Sequence, residues 1–210
     1  MGRVEHLKIS CGRPLLVVMA KEPRMGGVKT RLGRDVGAVR ATAFYRRTMG
    51  NVLRRLCRDP RFETVLAVAP DAALGAPQWP MHIPRVGQGV GDLGVRMGRI
   101  MDWDVRGPII IVGTDIPGIR ASHIANAFQH LGRHDAVFGP AGDGGYWLVG
   151  LRRCPNVLDI FRGVRWSGPH ALGDTIANLK GRSVGYAATL RDVDDGVDFG
   201  ALGAAGARVV

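Results

Sequence analysis

Lys21, Lys29 and Arg31 stand just past five consecutive apolar residues, Leu15 to Met19. Cations beyond the carboxyl end of a buried strand are what an open α/β sheet offers to a phosphate. Between them, Gly26 and Gly27 let the backbone come close to an anion, and Lys29 and Arg31 can neutralise it. The loop is not a Walker A loop. Val28 stands where that motif has the glycine before its lysine, although Lys29-Thr30 copies its end. The plainer alternative is an exposed basic turn.

Carboxylates recur in similar settings. PIIIVGTD, Pro108 to Asp115, puts Asp115 two or three residues beyond an apolar strand, with Thr114 beside it. A charge there needs a partner, and a divalent cation bridging phosphate oxygens is the candidate; an N-cap or Asx-turn role is the alternative. In GPAGDGGYWLVGL, Asp143 precedes Gly144 and Gly145, which would let the backbone pass close to a sugar or phosphate while Asp143 orients a hydroxyl or acts as a base. A tight hairpin also uses Asp-Gly. Asp192 and Asp194 form a DxD, weak by itself. Gly89, Gly91 and Gly94 have the G-x-G-x-x-G spacing, but MHIPRV before them makes a poor central strand, so a dinucleotide site is disfavoured. The segment reads as a flexible substrate-contacting loop in which Asp92 caps the next helix or bonds a ligand hydroxyl.

The elements that must position these residues alternate. Strand-length apolar runs fall at Leu15 to Ala20, Thr64 to Ala69, Pro108 to Val112, Ala136 to Phe138 and Trp147 to Leu151. Helical spacing is clearest from Ala38 to Arg58, where Ala41, Tyr45, Met49, Val52 and Leu56 recur every three or four residues and the arginines fall on the other side. Further helices are expected over Leu93 to Trp103, Ser122 to Leu131 and Pro169 to Leu179. This predicts an α/β sandwich. The four prolines between Pro70 and Pro84 mark an excursion within the domain. The expected organisation is an extension over 1–13, one domain over 14–199 and a tail over 200–210.

At 210 residues and 46% hydrophobic content the chain can bury a sizeable core in one domain. No run is long enough to span a bilayer and the amino terminus lacks a signal-like apolar stretch, so a cytoplasmic location is expected. Cys11, Cys57 and Cys154 are isolated and suggest neither disulfides nor zinc. The net charge of +11 comes from 29 basic and 18 acidic residues. The basic residues are scattered, with few interleaved aromatics, so a basic surface that attracts anionic metabolites is favoured over a nucleic-acid footprint.

In chain order, VVMAKEPRMGGVKTRL, QGVGDLGVRM, IIIVGTDIPGI, DAVFGPAGDGGYWLVGL, VRWSGP and RDVDD resemble a bacterial family labelled selenodomain-associated or arsenosugar-type transferases, over roughly residues 14 to 199. That family lies within the glycosyltransferase-A-like superfamily of nucleotide-diphospho-sugar transferases. The resemblance extends more distantly to guanylyltransferases of the molybdenum-cofactor and phospholactate kinds. It implies a single-domain three-layer α/β/α sandwich with a mostly parallel mixed sheet, and a metal-dependent transferase using a nucleotide-sugar donor. The alternatives are nucleotidyl transfer from an NTP with release of pyrophosphate, or a binding protein without turnover.

By the same resemblance, Lys29 and Arg31 would contact nucleotide phosphates and Asp115 would hold Mg²⁺ or Mn²⁺, with Asp192 and Asp194 as further metal ligands. Asp143, Gly144, Gly145 and Tyr146 would line the donor or acceptor side, and Trp166 and Ser167 match a Trp-Ser pair whose indole could stack on a sugar or base; a core Trp is the alternative. Asp115, Asp143 and Lys29 are the catalytic candidates. Ala20, Lys21, Gly27, Thr30, Gly91, Asp92 and Thr114 complete the expected substrate contacts. The partners expected are a nucleotide sugar or NTP and an unknown small-molecule acceptor, with homodimerisation left open. Two departures from the family pattern stand out: Arg24-Met25-Gly26-Gly27 replaces the usual proline-glycine before VKTRL, and Gly142 stands where a polar residue is common.

Overall fold

A computed structural model describes residues 13–154 and 156–206. The expected extension therefore lies almost wholly outside the described residues, as do Cys11 and the last four residues of the tail. The first apolar run, β1 (Leu15–Lys21), is an inner strand of a seven-stranded sheet. On one side β1 pairs in parallel with β2 (Glu63–Ala69), and β2 pairs in parallel with the edge strand β3 (Arg85–Gly87). On the other side lies β4 (Ile109–Val112), also parallel to β1. Then comes β6 (Tyr146–Leu151), antiparallel to both β4 and β5 (Ala136–Pro140), and β7 (Val184–Tyr186) closes the second edge parallel to β5. The order is β3-β2-β1-β4-β6-β5-β7.

Alternation along the strands assigns each side chain to a layer. Leu16, Val18 and Ala20 of β1 face one apolar cluster together with Tyr45, Met49, Val52, Leu53 and Leu56 of α2 (Ala38–Leu56) and Ile124 and Leu131 of α4 (Ala121–Leu131). Leu15 and Val17 face the other, with Met97, Ile100 and Met101 of α3 (Leu93–Met101) and the partly buried Leu172 and Ile176 of α5 (Ala171–Ala177). Helices thus cover both faces of a mostly parallel sheet, which makes the predicted α/β sandwich the three-layer one that the family resemblance implies.

The expected strands are all present within one or two residues. Helices α2 and α3 each end two residues earlier than expected, and α5 is four residues shorter than the Pro169 to Leu179 window. Four elements had no clear periodic signal. These are α1 (Thr30–Val36), the three-residue strands β3 and β7, and α6 (Gly196–Gly206). Helix α6 runs through the expected boundary between domain and tail. It is tied to the body by the Gly196 N–H donating to Asp35 Oδ2 at 2.8 Å and by an edge-on contact of Phe199 with Phe44.

Candidate active site at the carboxyl ends of the central strands

The chain steps outward from β1 to β2 and β3, then returns to β4 on the other flank of β1. That reversal leaves a crevice at the carboxyl ends of β1 and β4, where ligands settle in open α/β sheets. A cavity of about 610 Å³ occupies it.

Its loops are fixed by a residue that sequence reading assigned only to a helix stripe. The Tyr45 hydroxyl accepts from the Lys21 N–H at 3.0 Å, donates to the Lys21 carbonyl at 3.1 Å and lies 3.1 Å from the Thr114 hydroxyl. The end of β1 is thereby tied to the turn that carries Asp115. Burial, above all, raises the Tyr45 pKa and keeps the phenol neutral. A tyrosine in an otherwise apolar stripe was the available signal.

Lys29 is the hub of the charged end. It adopts a left-handed conformation (φ 45°, ψ 50°) just ahead of α1, and its side chain is only 6% exposed. A non-glycine residue there is strained and must be held by its surroundings. Its Nζ donates to Asp115 Oδ2 at 3.0 Å and to Asp194 Oδ1 at 2.8 Å. Burial is the largest influence on its pKa and opposes the charge, but the two carboxylates outweigh it and hold the ammonium protonated. Arg31 approaches Asp194 at 3.6 Å from an exposed position. Asp194 is held below the usual carboxylate range; burial opposes this, and hydrogen bonding and charge from Lys29 prevail.

Asp192 stands on the losing side of this balance. Burial, then the neighbouring Asp194 carboxylate, push its pKa up to about 6, with Asp143 and Asp115 adding to the effect. Asp115, Asp143 and Asp192 thus line the cavity with Lys21 and Lys29, and Asp194 stands behind Lys29 with Arg31, a surplus of negative charge on hard oxygen donors. Among the described residues no group of three or more His, Cys, Asp or Glu is arranged to hold a metal by itself. The donor chemistry therefore fits a Mg²⁺- or Mn²⁺-like cation that takes part of its coordination from ligand phosphates, the usual habit of Mg²⁺.

The third loop is the hairpin between antiparallel β5 and β6. Asp143 Oδ1 accepts from the Gly145 N–H at 2.9 Å in an Asx-type turn, leaving the residue exposed at the cavity edge. Gly144 has φ +84°, and a Cβ there would sit 2.5 Å from the Pro169 carbonyl oxygen. The motif is a hairpin turn whose Asp143 and Gly145 line the cavity. Trp166 is half-buried against Tyr146 and Phe161, and Ser167 beside it is left-handed (φ 63°).

Of the expected contacts, Ala20, Lys21, Gly27, Lys29, Thr30, Thr114, Asp115, Asp143, Gly145, Tyr146, Trp166, Ser167 and Asp192 line the cavity. Asp194 reaches it through Lys29 and Arg31 through Asp194, while a Cβ on Gly144 would meet the Pro169 backbone behind the hairpin. The Gly87 to Gly94 segment behaves differently from the expected flexible loop. Asp71 accepts from the Gly89 N–H, and Arg99 donates to the Gln88 and Val90 carbonyls, so the segment is pinned from both sides. Asp92 caps α3 by accepting from the Val95 N–H at 2.8 Å, and neither it nor Gly91 lines the cavity. Gln88, which the sequence did not single out, does line it. Its buried amide donates to the Ala20 and Ala67 carbonyls and joins the ends of β1 and β2.

Residues 52–168 match the model of a bacterial family described as "Uncharacterized protein conserved in bacteria (DUF2064)". The chain belongs to this family. No curated protein matches the sequence. Among solved structures, a protein from Desulfovibrio desulfuricans G20, whose designation as a nucleotide-diphospho-sugar transferase is itself an inference, is 29% identical, with a TM-score of 0.78 over 90% of this chain and 85% of that one. A nucleotidyl transferase from Methanothermobacter thermautotroptrophicus is 12% identical, with a TM-score of 0.58 over 95% of this chain and 100% of that one. Rv0371c from Mycobacterium tuberculosis H37Rv, solved in complex with manganese, is 16% identical, with a TM-score of 0.54 over 90% and 97%. The fold of this DUF2064 member is therefore that of the nucleotide-diphospho-sugar transferases.

Proposed function

We propose that this protein is a metal-dependent transferase that takes a nucleotide-diphosphate sugar as donor, in the narrower company of the selenodomain-associated and arsenosugar-type transferases. The observation that carries the reading is Lys29, buried and clamped between Asp115 and Asp194 at the reversal point of the sheet. An incoming diphosphate gives this ammonium an anionic partner, and the surplus carboxylates receive the accompanying cation. Asp115 would hold that cation, with Asp192 and Asp194 beside it. When bound, the metal supplies Lewis-acid neutralisation of the diphosphate. The transferase designation of the Desulfovibrio relative and the manganese in the Mycobacterium structure agree with this.

The chain's own residues supply positioning and charge, the main sources of rate in such a site. Lys29 and Arg31 bind the diphosphate, while Tyr45 and Gln88 keep the strand ends in register beneath it. Asp143 accepts the proton of the acceptor hydroxyl as that oxygen bonds to the sugar's anomeric carbon. The bond from that carbon to the diphosphate oxygen breaks, and the nucleoside diphosphate leaves with the electron pair. The second reading is nucleotidyl transfer, favoured by the Arg24-Met25-Gly26-Gly27 loop and by the nucleotidyl transferase with this fold. There the acceptor oxygen bonds to the α-phosphorus of an NTP and pyrophosphate leaves.

Thermal-shift screening of nucleoside triphosphates and nucleotide sugars, with and without Mn²⁺, tests both readings. Stabilisation that needs metal and nucleotide together is expected, and the leaving group of any hit then separates the two chemistries. If no nucleotide stabilises the protein in a metal-dependent way, both readings fail.

A further inference from the structure

The cavity is chemically divided. Lys29, Asp115 and Asp192 are grouped at one end through their hydrogen bonds and mutual charge effects. The other end runs between the sheet and the layer of α3 and α5, where Met19, Met97, Ile111, Val149, Tyr146 and Trp166 all line it and all belong to one apolar cluster. The Tyr146 hydroxyl lies 3.3 Å from the Thr175 hydroxyl on α5, so its polar tip is engaged and its ring is what the cavity meets. Trp166 and Met19 are only half-buried and Leu93 at the rim is 39% exposed, so this patch of core has no complete cover within the described chain. Asp143, three residues before Tyr146, marks the junction of the two ends.

An apolar pocket end with one polar group at its boundary selects a ligand by shape and apolar area and orients it by that group. An anion placed there would lie among apolar side chains and face Asp143, Asp115 and Asp192, with Lys21, exposed at the carboxyl end of β1, as the basic side chain that follows Met19 on that face of the strand. A polyol would leave most of its hydroxyls without partners, at the cost of desolvating them.

We propose that the apolar end is the acceptor subsite and that the acceptor is a neutral alcohol with an apolar ring or alkyl body. Its hydroxyl faces Asp143 and its body lies against Trp166, Tyr146 and Met97. This assignment rests on the transferase reading above, whereas the apolar subsite itself stands on the lining residues.

Saturation-transfer NMR on the full chain tests it, with cyclohexylmethanol as the neutral apolar alcohol, glycerol as the polyol and glycerol 3-phosphate as the anion. Saturation of the cyclohexylmethanol ring protons is expected, with binding at least about tenfold tighter than for the other two. Trp166→Ala, and Ala171→Phe, which fills the cavity from the start of α5, should each weaken that binding about tenfold. Each variant is accepted only if its melting transition is retained. Equal or tighter binding of glycerol or glycerol 3-phosphate overturns the proposal.

The nucleotide that stabilises the protein most with Mn²⁺ is then added at saturation. Cyclohexylmethanol should remain bound; its displacement overturns the acceptor assignment and makes this end the base pocket. Failure of cyclohexylmethanol to bind while the nucleotide binds overturns the acceptor assignment alone. If cyclohexylmethanol binds but no nucleotide binds the protein at any concentration tested with Mn²⁺, the transferase reading is overturned and, with it, the acceptor role.

Discussion

Lys29 stands between Asp115 and Asp194 with its charge sustained by both, so the function of each carboxylate is coupled to the other through one ammonium. Asp115→Asn removes a negative oxygen from the group that would bind the cation while keeping the side chain's size. It should abolish the metal-dependent part of nucleotide stabilisation in a thermal-shift assay and lower turnover by roughly 10²-fold or more, as loss of one preorganised electrostatic contact does. A nucleic-acid-binding protein without turnover would behave oppositely, with binding intact or strengthened by the lost negative charge. Gly94 gives a second residue-scale prediction. A Cβ there would lie 2.8 Å from Trp166 Cζ2 and 3.1 Å from the Phe161 carbonyl oxygen. Gly94→Ala should therefore displace the indole and shift the tryptophan near-UV dichroism, with a stability loss of about 1–3 kcal/mol from overpacking. An unchanged near-UV spectrum would count against this packing.

At the scale of elements, the second edge of the sheet depends on Asp135, at the entrance to β5. Its carboxylate accepts from the Ser183 N–H at 3.0 Å and hydroxyl at 2.8 Å, and from Arg152 at 2.5 Å, joining the entrances of β5 and β7 to the end of β6. The Ser183 hydrogen bonds foremost, with Arg152, hold its pKa below the ordinary carboxylate value. A depressed carboxylate stabilises the fold fully above its unfolded-state pKa and loses that contribution as pH falls through the folded value. Asp135→Asn should therefore lower Tm by roughly 2–4 °C at pH 7, about 1 kcal/mol, and the gap to the wild type should close under acid conditions. A gap that persists at acid pH would exclude the carboxylate as its source. Helix α6 makes a similar link to the site, since Asp194 lies two residues before it. Phe199→Ala removes the edge contact with Phe44 and should cost about 1–2 kcal/mol. It should also weaken metal-dependent nucleotide stabilisation, because Asp194 loses its anchor.

For the whole molecule, a net charge of +11 surrounds a cavity whose own carboxylates outnumber its cations. Such an outer field would concentrate anionic ligands, and on the proposed function the inner site would admit them with a countercharge. Raising ionic strength from about 0.05 to 0.5 M should slow nucleotide association severalfold in stopped-flow measurements. It should leave cyclohexylmethanol binding unchanged or slightly tighter, so a parallel loss in both would point to global destabilisation. No helix among the described residues is long and apolar enough to cross a membrane.

The sequence by itself determined the layers. Five apolar runs and one 3.6-period stripe suffice for an α/β sandwich, because burial on two faces imposes its pattern residue by residue, and the family resemblance added the three-layer arrangement. The sequence also marked Lys29, Asp115 and Asp143 in the cavity, since loops at the carboxyl ends of strands are local in sequence. Short elements escaped it: β3 and β7 are too brief for a period, and α1 follows a left-handed lysine that nothing local announces. Only the tertiary structure decided that Lys29 is partnered by carboxylates 86 and 165 positions away, that Tyr45 serves the site, and that the second glycine segment is pinned by Asp71 and Arg99. Partners so far apart in sequence leave no spacing to read; strand order brings them together, and the burial of Lys29 between the carboxylates makes their charges interdependent.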